Sequence, residues 1–152
     1  MIDRLRKRIS AGNREGGFTL IELLVVLIII AVLLAIAIPA YLGFKDRAEK
    51  RAAQSNVRES VPTAEAYAED NNGTANDSDG NAATSGYDGM TLAFLQQIDP
   101  NAKLDGDPQN VTTDTFCIQD TVGKYTAWFV RDQNDPNNGV VQVDLTSNGA
   151  GC

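Results

Sequence analysis

Few side chains in this 152-residue sequence are suited to catalysis, because the sequence contains no histidine. That absence excludes histidine-based triads, histidine general bases and histidine metal ligands. The two cysteines, Cys117 and Cys152, are too few for a four-thiolate zinc site. The side chain whose position requires an explanation is Glu22, a carboxylate inside a long apolar segment. The chemistry open to it is ion pairing, since an unpaired charge in an apolar helix is costly.

The apolar segment around Glu22 is long enough to span a membrane. Residues 23–38 contain no polar side chain, and the segment extends over residues 18–40 with interruptions only at Thr19, Glu22 and Pro39. A helix rises about 1.5 Å per residue, and a bilayer core of about 30 Å needs about 20 residues. Five basic and two acidic residues precede the segment, which places the N-terminus in the cytoplasm and the remainder outside.

The chain after residue 17 is strongly acidic. It holds 8 basic and 18 acidic side chains, a net charge of −10, within a total of −7 for the whole sequence. An acidic surface is repelled by nucleic acid phosphates, so nucleic-acid binding is not expected.

Two ordinary interpretations of the N-terminal third account for only some of its features. A cleaved secretory signal fits the basic start, and residues 35–37 (Ala-Ile-Ala) match a cleavage pattern, but its apolar region normally has 7–15 residues. A signal anchor holding an extracellular domain explains the length and the charge asymmetry. It leaves Glu22 without a role, unless that side chain is partly solvated near the membrane interface.

A third interpretation uses the residues around Glu22 together. Residues 16–24 read GGFTLIELL. This stretch resembles the class III signal of type IV prepilins, the precursors of type IV pilins and of type II secretion pseudopilins. The resemblance implies that a prepilin peptidase cuts between Gly17 and Phe18 and N-methylates Phe18. Glu22 then matches the near-invariant acid of the family, and Pro39 and Tyr41 match its proline and aromatic positions.

The resemblance is close over residues 16–44 and implies a structural subunit, not an enzyme. After cleavage the Phe18 ammonium of one subunit would pair with Glu22 of a neighbour and set the register of a helical filament. The expected function is a type IV pilin used for adhesion, motility or DNA uptake, with no cofactor. A pseudopilin of a type II secretion system is the alternative, and a membrane-anchored extracellular enzyme is a third, less favoured class.

The same resemblance implies partners and a location. The precursor lies in the cytoplasmic (inner) membrane, where the prepilin peptidase and the pilus assembly machinery act on it. The processed chain then forms a homo-oligomeric filament on the cell surface. The sequence does not distinguish a major from a minor pilin and does not identify a receptor.

Four regions are predicted along the chain: a leader (1–17), a transmembrane or filament-core helix (18–40), an amphipathic half of the same helix (41–69) and a globular head (70–152). Apolar residues at spacings of three and four support the second half of the helix. Opposite charges four residues apart, Lys45 with Glu49 and Asp46 with Lys50, add to it. Pro39 predicts a kink, because proline lacks an N–H.

The head is predicted to complete an α+β fold resembling that of pilins. Residues 70–90 are rich in Gly, Asn, Asp, Ser and Thr and predict a loop. A short helix is expected at 90–98, and β-branched and aromatic residues predict antiparallel strands at 115–120, 124–132 and 140–145.

Outside the cytoplasm the two cysteines can form a disulfide, and Cys117–Cys152 resembles the bond that bounds the C-terminal region of pilins.

The acidic residues of the head are only weak evidence for a calcium-binding site. Asp77, Asp79 and Gly80 lack the first ligand of an EF-hand loop, so no metal site is assigned. The glycosylation pattern Asn-x-Ser/Thr occurs at Asn72, Asn76 and Asn110, and the sequence leaves their modification open.

Overall fold

The computed structural model describes residues 17–74, 76 and 79–152. The predicted leader therefore lies outside the described residues, apart from Gly17. The described chain forms two compact units, one ending at Leu42 and one comprising Gly43–Cys152.

The secondary structure is α+β, as predicted, and the boundaries of each element fall within a few residues of the expected ones. A long helix is followed by a short helix and three strands. These are α1 (Leu20–Asp70), α2 (Leu92–Ile98), β1 (Phe116–Val122), β2 (Tyr125–Arg131) and β3 (Val141–Leu145), with a 3₁₀ turn at Thr146–Asn148.

The three strands form an antiparallel meander in the order β1-β2-β3. A two-residue turn joins β1 to β2, because Val122 pairs directly with Tyr125. Gly123 in that turn has a φ of +61°, and a Cβ added there would lie 2.2 Å from the Glu49 carboxyl carbon. Glycine is required at this position both by its conformation and by the close approach of α1.

The second half of α1 packs on this sheet through one apolar face. Ala53, Val57, Ala64 and Tyr67 are completely buried there. They join a core supplied by the loop after α1, by α2 and by the inner face of the sheet: Tyr87, Met90, Leu95, Ala102, Phe116, Ile118, Ala127 and Phe129. Each fully buried large side chain contributes about 1.5–3 kcal/mol.

Charged contacts form along α1 and between α1 and the β1–β2 turn. The predicted pair Lys45–Glu49 is present, with 3.2 Å between Nζ and Oε1. The predicted pair of Asp46 with Lys50 is wrong, because Asp46 Oδ2 lies 2.8 Å from Lys124 Nζ. A contact between residues distant in sequence replaces the local pair, since the turn brings Lys124 beside the helix.

A buried asparagine closes the base of the loop that follows α1. The Asn71 side-chain amide donates to the carbonyl oxygens of Gly86 (3.0 Å) and Asp88 (2.9 Å), and the Gly86 N–H donates to the Asn71 carbonyl (2.9 Å). Tyr67 Oη also donates to the Asp88 carbonyl at 3.2 Å. A Cβ on Gly86 would lie 2.1 Å from the Thr113 carbonyl oxygen, so a larger residue does not fit there. These contacts hold both ends of residues 72–85 at a fixed separation.

Two polar contacts link α1 to the head inside the packed region. Asn56 Nδ2 donates to Asp120 Oδ2 at 2.7 Å, and Asp120 is only 7% exposed. Burial raises the pKa of Asp120, the Asn56 bond opposes that shift, and the Asp105 charge adds to it. Tyr87 Oη donates to Glu65 Oε2 at 2.6 Å, and burial together with Glu65 raises the pKa of Tyr87 to about 12.

The disulfide Cys117–Cys152 is present, as the pilin resemblance implies. It attaches the last residue of the chain to β1. The Cys152 N–H also donates to Gln119 Oε1 at 2.8 Å, so the C-terminus is held by one covalent bond and one hydrogen bond.

The raised pKa of Asp120 predicts a specific pH dependence. As the pH falls through that pKa, the folded chain binds a proton before the unfolded chain does, so this group adds stability on acidification. Replacing Asp120→Asn keeps an acceptor for Asn56 and removes the titration. We expect wild-type stability, measured relative to D120N by denaturant unfolding in detergent, to rise as the pH falls from 7 to 4.

The exposed residue Asp114 supplies the control for this prediction. The variant D114N loses the same charge without affecting a buried carboxyl, so the comparison with D120N corrects for the change in net charge. A wild type that loses stability relative to D120N on acidification would contradict the prediction.

The disulfide predicts a loss of stability on removal. Its two cysteines are separated by 35 positions, and a loop of that length corresponds to about 4 kcal/mol in the chain-entropy model. The double variant Cys117→Ser/Cys152→Ser is expected to unfold at correspondingly lower denaturant concentration. Reduced wild-type protein should match it, and a variant as stable as the oxidised wild type would contradict the expectation.

Candidate functional site

The junction between Gly17 and Phe18 lies in extended chain just before α1. A Cβ added at Gly17 would meet no atom within 4 Å, and the Phe18 side chain is 88% exposed. The described residues therefore leave the backbone at this bond accessible, and Gly17 has no side chain to obstruct it. The helix begins only at Leu20, so a cut here leaves α1 whole.

Glu22 forms a reciprocal cap with Thr19 at the start of α1. The Thr19 backbone N–H donates to Glu22 Oε2 at 2.8 Å, and the Thr19 hydroxyl donates to the same oxygen at 2.7 Å. The Glu22 N–H in turn approaches Thr19 Oγ1 at 3.3 Å. This is a capping box, which pairs backbone N–H groups that the first turn of a helix otherwise leaves without partners.

The cap leaves half of the carboxylate available. Both bonds from Thr19 end on Oε2, and no hydrogen bond to Oε1 of Glu22 exists within the described part of the chain. A carboxylate that accepts two hydrogen bonds on one oxygen can still pair with an ammonium through its other oxygen. Because Thr19 and Glu22 both follow the Gly17–Phe18 bond, the whole cap persists in a chain cut there.

The cap is a feature that the sequence prediction missed. Thr19-x-x-Glu22 is the Ser/Thr-x-x-Glu pattern of a capping box, and it stands directly before an apolar run. The prediction gave Glu22 a partner only in a neighbouring subunit and did not assign a function to Thr19. The structure gives Glu22 a partner in its own chain and thereby fixes the direction of its carboxylate.

The apolar segment of α1 is uncovered in the isolated chain. Its large side chains, from Leu20 to Phe44, are between 45% and 82% exposed. Among the described residues, α1 is the one helix long and apolar enough to cross a membrane. Burying a side chain such as Leu or Ile gains about 1.5–3 kcal/mol, so covering the segment is worth tens of kcal/mol. An exposed apolar surface of this size requires lipid or another protein.

The remaining predicted positions are less directly informative. The helix assignment continues through Pro39, and a kink there stays a prediction.

Asp77 lies outside the described residues, whereas Asp79 accepts hydrogen bonds from the Asn81 N–H at 2.8 Å and from the Thr84 hydroxyl. No group of three or more His, Cys, Asp or Glu side chains able to hold a metal occurs among the residues that the structure describes.

Comparison with known proteins identifies the motif. Residues 12–38 match the family described as the prokaryotic N-terminal methylation motif. The chain is 35% identical over 63 residues to type II secretion system core protein G of Pectobacterium carotovorum subsp. carotovorum, covering 41% of this chain and 40% of that protein.

Two pilus proteins show comparable similarity. The chain is 46% identical over 52 residues to type IV major pilin protein PilA of Myxococcus xanthus, covering 34% of this chain and 24% of that protein. It is 45% identical over 56 residues to type IV wide pilus major component PilA4 of Thermus thermophilus, covering 37% and 43%. No solved structure matches.

The chain thus carries the prepilin methylation motif and is similar to proteins named as pilins and to proteins named as secretion-system subunits. The matches span between about a quarter and two fifths of the length of these relatives. The similarity does not distinguish the two classes.

The capping box predicts that Thr19 holds the first turn of α1. In Thr19→Val the hydroxyl is lost, and the first backbone amides of α1 should exchange with solvent on the order of fivefold faster, the effect of one lost cap. Thr19→Ser keeps the hydroxyl and should behave like the wild type. Amide exchange measured by NMR in detergent micelles tests this, and equal protection in both variants would contradict it.

Proposed function

We propose that this chain is a type IV pilin, made as a membrane precursor, cut after Gly17, N-methylated at Phe18 and polymerised into an extracellular filament. The observation that carries the proposal is the combination, within six residues, of an accessible Gly17–Phe18 bond with a fixed carboxylate at Glu22. The uncovered apolar helix that follows gives the processed chain a surface through which copies can pack.

The ion pair at the core of this proposal is supported by the geometry of Glu22. A cut at Gly17 creates an ammonium on Phe18, and Oε1 of Glu22 is free to accept one. In a low dielectric, opposite charges attract strongly, and a charge left alone is expensive. If the ammonium of one subunit meets Glu22 of the next, each filament subunit adds at a defined axial position.

The head supports a pilin over a pseudopilin. The Cys117–Cys152 bond secures the C-terminus on β1, and the polar loop after α1 is long and held at its base by Asn71. Both features suit an exposed fibre surface. The pseudopilin alternative rests on the similarity to type II secretion system core protein G, and a short periplasmic polymer is its expected product.

The chain is proposed to act as a structural subunit whose processing and assembly are performed by other proteins. A prepilin peptidase would cut and methylate the precursor in the cytoplasmic membrane, and an assembly machinery would extract the processed chain. Adhesion, motility or DNA uptake are the proposed uses of the filament.

The class is tested on material sheared from the cell surface. A pilin should give fibres visible by electron microscopy that contain a processed chain beginning at Phe18. Mass spectrometry should find N-methyl-Phe at its first position. A chain that begins elsewhere would sink the proposed processing, and a correctly processed chain found only in the periplasm would favour the pseudopilin.

The role of Glu22 is tested by a substitution that separates its charge from its cap. Glu22→Gln retains a side-chain oxygen that can accept from Thr19, but it cannot pair with an ammonium. We expect normal cleavage at Gly17 and a fall of at least tenfold in fibre yield. Thr19→Ser is the control, and wild-type fibre yield from E22Q would refute the ion pair.

A further inference from the structure

A row of arginines follows the apolar segment on the exposed side of α1, and its last member, Arg58, lines a cavity with Asp99 and Lys103 of the same chain. Arg47, Arg51 and Arg58 are all exposed, and their spacings of four and seven residues place them on one face of the helix. The opposite face carries the buried residues Ala53 and Val57. We call Arg47, Arg51 and Arg58 the arginine row.

The arginine row forms no ion pair, whereas three of the other five cations of the second unit do; Lys50 and Lys103 form none among the described residues. Lys45, Lys124 and Arg131 each form an ion pair with a carboxylate of the same chain. No such pair involves the arginine row within the described residues, and Arg47 donates only to the Gly43 carbonyl at 3.1 Å. The row is therefore a positive surface free to meet an external anion.

The rest of the chain supplies the complementary charge in excess. Residues 52–152 hold 15 acidic and 4 basic side chains, a net of −11. One part of it, residues 99–120, holds five aspartates and one lysine, and we call this part the acidic segment. Asp105, Asp107 and Asp114 in it are exposed and form no ion pair among the residues described. The Asp105 charge also helps to raise the pKa of Asp120, as expected where negative charge is not neutralised.

We propose that the arginine row of one subunit docks on the acidic segment of a second copy of this chain. The proposal rests on the proposed function, since it needs copies assembled side by side. This contact is additional to the one that the apolar helices make. It lies on the heads and is sensitive to salt. Arginine suits this contact because its planar fork of donors matches a carboxylate.

The length of the arginine row favours a second copy over a lipid surface. Arg58 lies 14 residues from Phe44, about 21 Å along the helix. One headgroup layer is only about 5–8 Å thick, so a helix that leaves a membrane carries Arg58 beyond it. The net charge of −11 on residues 52–152 would moreover be repelled by an anionic membrane.

Adjacent residues offer a matched test of this contact. Arg51→Gln and Lys50→Gln remove the same charge at neighbouring positions, but Lys50 is not part of the arginine row. Fibres of full-length, processed R51Q should dissociate at a lower NaCl concentration than wild-type fibres and be recovered in at least threefold lower amount. K50Q and Arg51→Lys should both resemble the wild type.

A photo-crosslinker identifies what the arginine row contacts. Ser55 is exposed and lies between Arg51 and Arg58, so p-benzoylphenylalanine at position 55 samples that surface. In assembled fibres the crosslink should join two copies. Ser55 lines a cavity with Asp99, Asn101 and Lys103 of its own chain, so mass spectrometry is applied to the crosslinked dimer and should locate the second site within residues 105–120. A lipid adduct, or a crosslink to another part of the head, would overturn the proposal.

The outcomes separate this proposal from the function on which it rests. Wild-type fibres with R51Q indistinguishable from K50Q would overturn the arginine contact and leave the pilin assignment intact. The absence of any wild-type polymer would overturn both.

Discussion

The need to cover the apolar half of α1 determines how the rest of the molecule is organised. Its large side chains remain between 45% and 82% exposed in the single chain, and water is a poor solvent for them. Lipid and neighbouring apolar helices are both acceptable surroundings, and they differ little in free energy per buried side chain. A chain can therefore move from one to the other without a large penalty, provided that its charged groups are accommodated in both.

Glu22 is the group for which that condition matters most. In the single chain its carboxylate is occupied on one side by Thr19, which satisfies backbone donors of the first helical turn and holds Oε2 in place. The cap lessens the cost of an isolated charge before assembly, and it leaves Oε1 without a hydrogen bond among the described residues. One pair of residues thus serves the stability of the helix start and the geometry of the proposed contact between subunits.

Local patterns in the sequence were sufficient for the fold. Hydropathy and turn residues predicted α1, α2 and the three strands, because each depends on neighbours within a few positions. The pairing of Asp46 was predicted wrongly, since the choice between Lys50 and Lys124 depends on where the β1–β2 turn lies in space. The hydrogen bond from Asn56 to Asp120 spans 64 positions and has no local signal at all.

The functional residues divide in the same way. The Gly17–Phe18 junction and Glu22 are recognisable from a short motif, as is the capping role of Thr19 once the pattern is looked for. The arginine row cannot be recognised from a motif. Recognising it requires knowing which of the eight basic side chains after residue 17 already form ion pairs. That distinction requires the positions of Lys45, Lys124 and Arg131 relative to their carboxylates.

The contacts of Asn71 have a consequence for how this protein can diverge. Because its amide, with Tyr67 and Gly86, fixes both ends of the intervening loop, the number of residues between them has little influence on the core. Closing a longer flexible loop adds only about 0.6 kcal/mol for each doubling of its length. Insertions, deletions and changes in composition can therefore accumulate in this one stretch at little cost to the stability of the head.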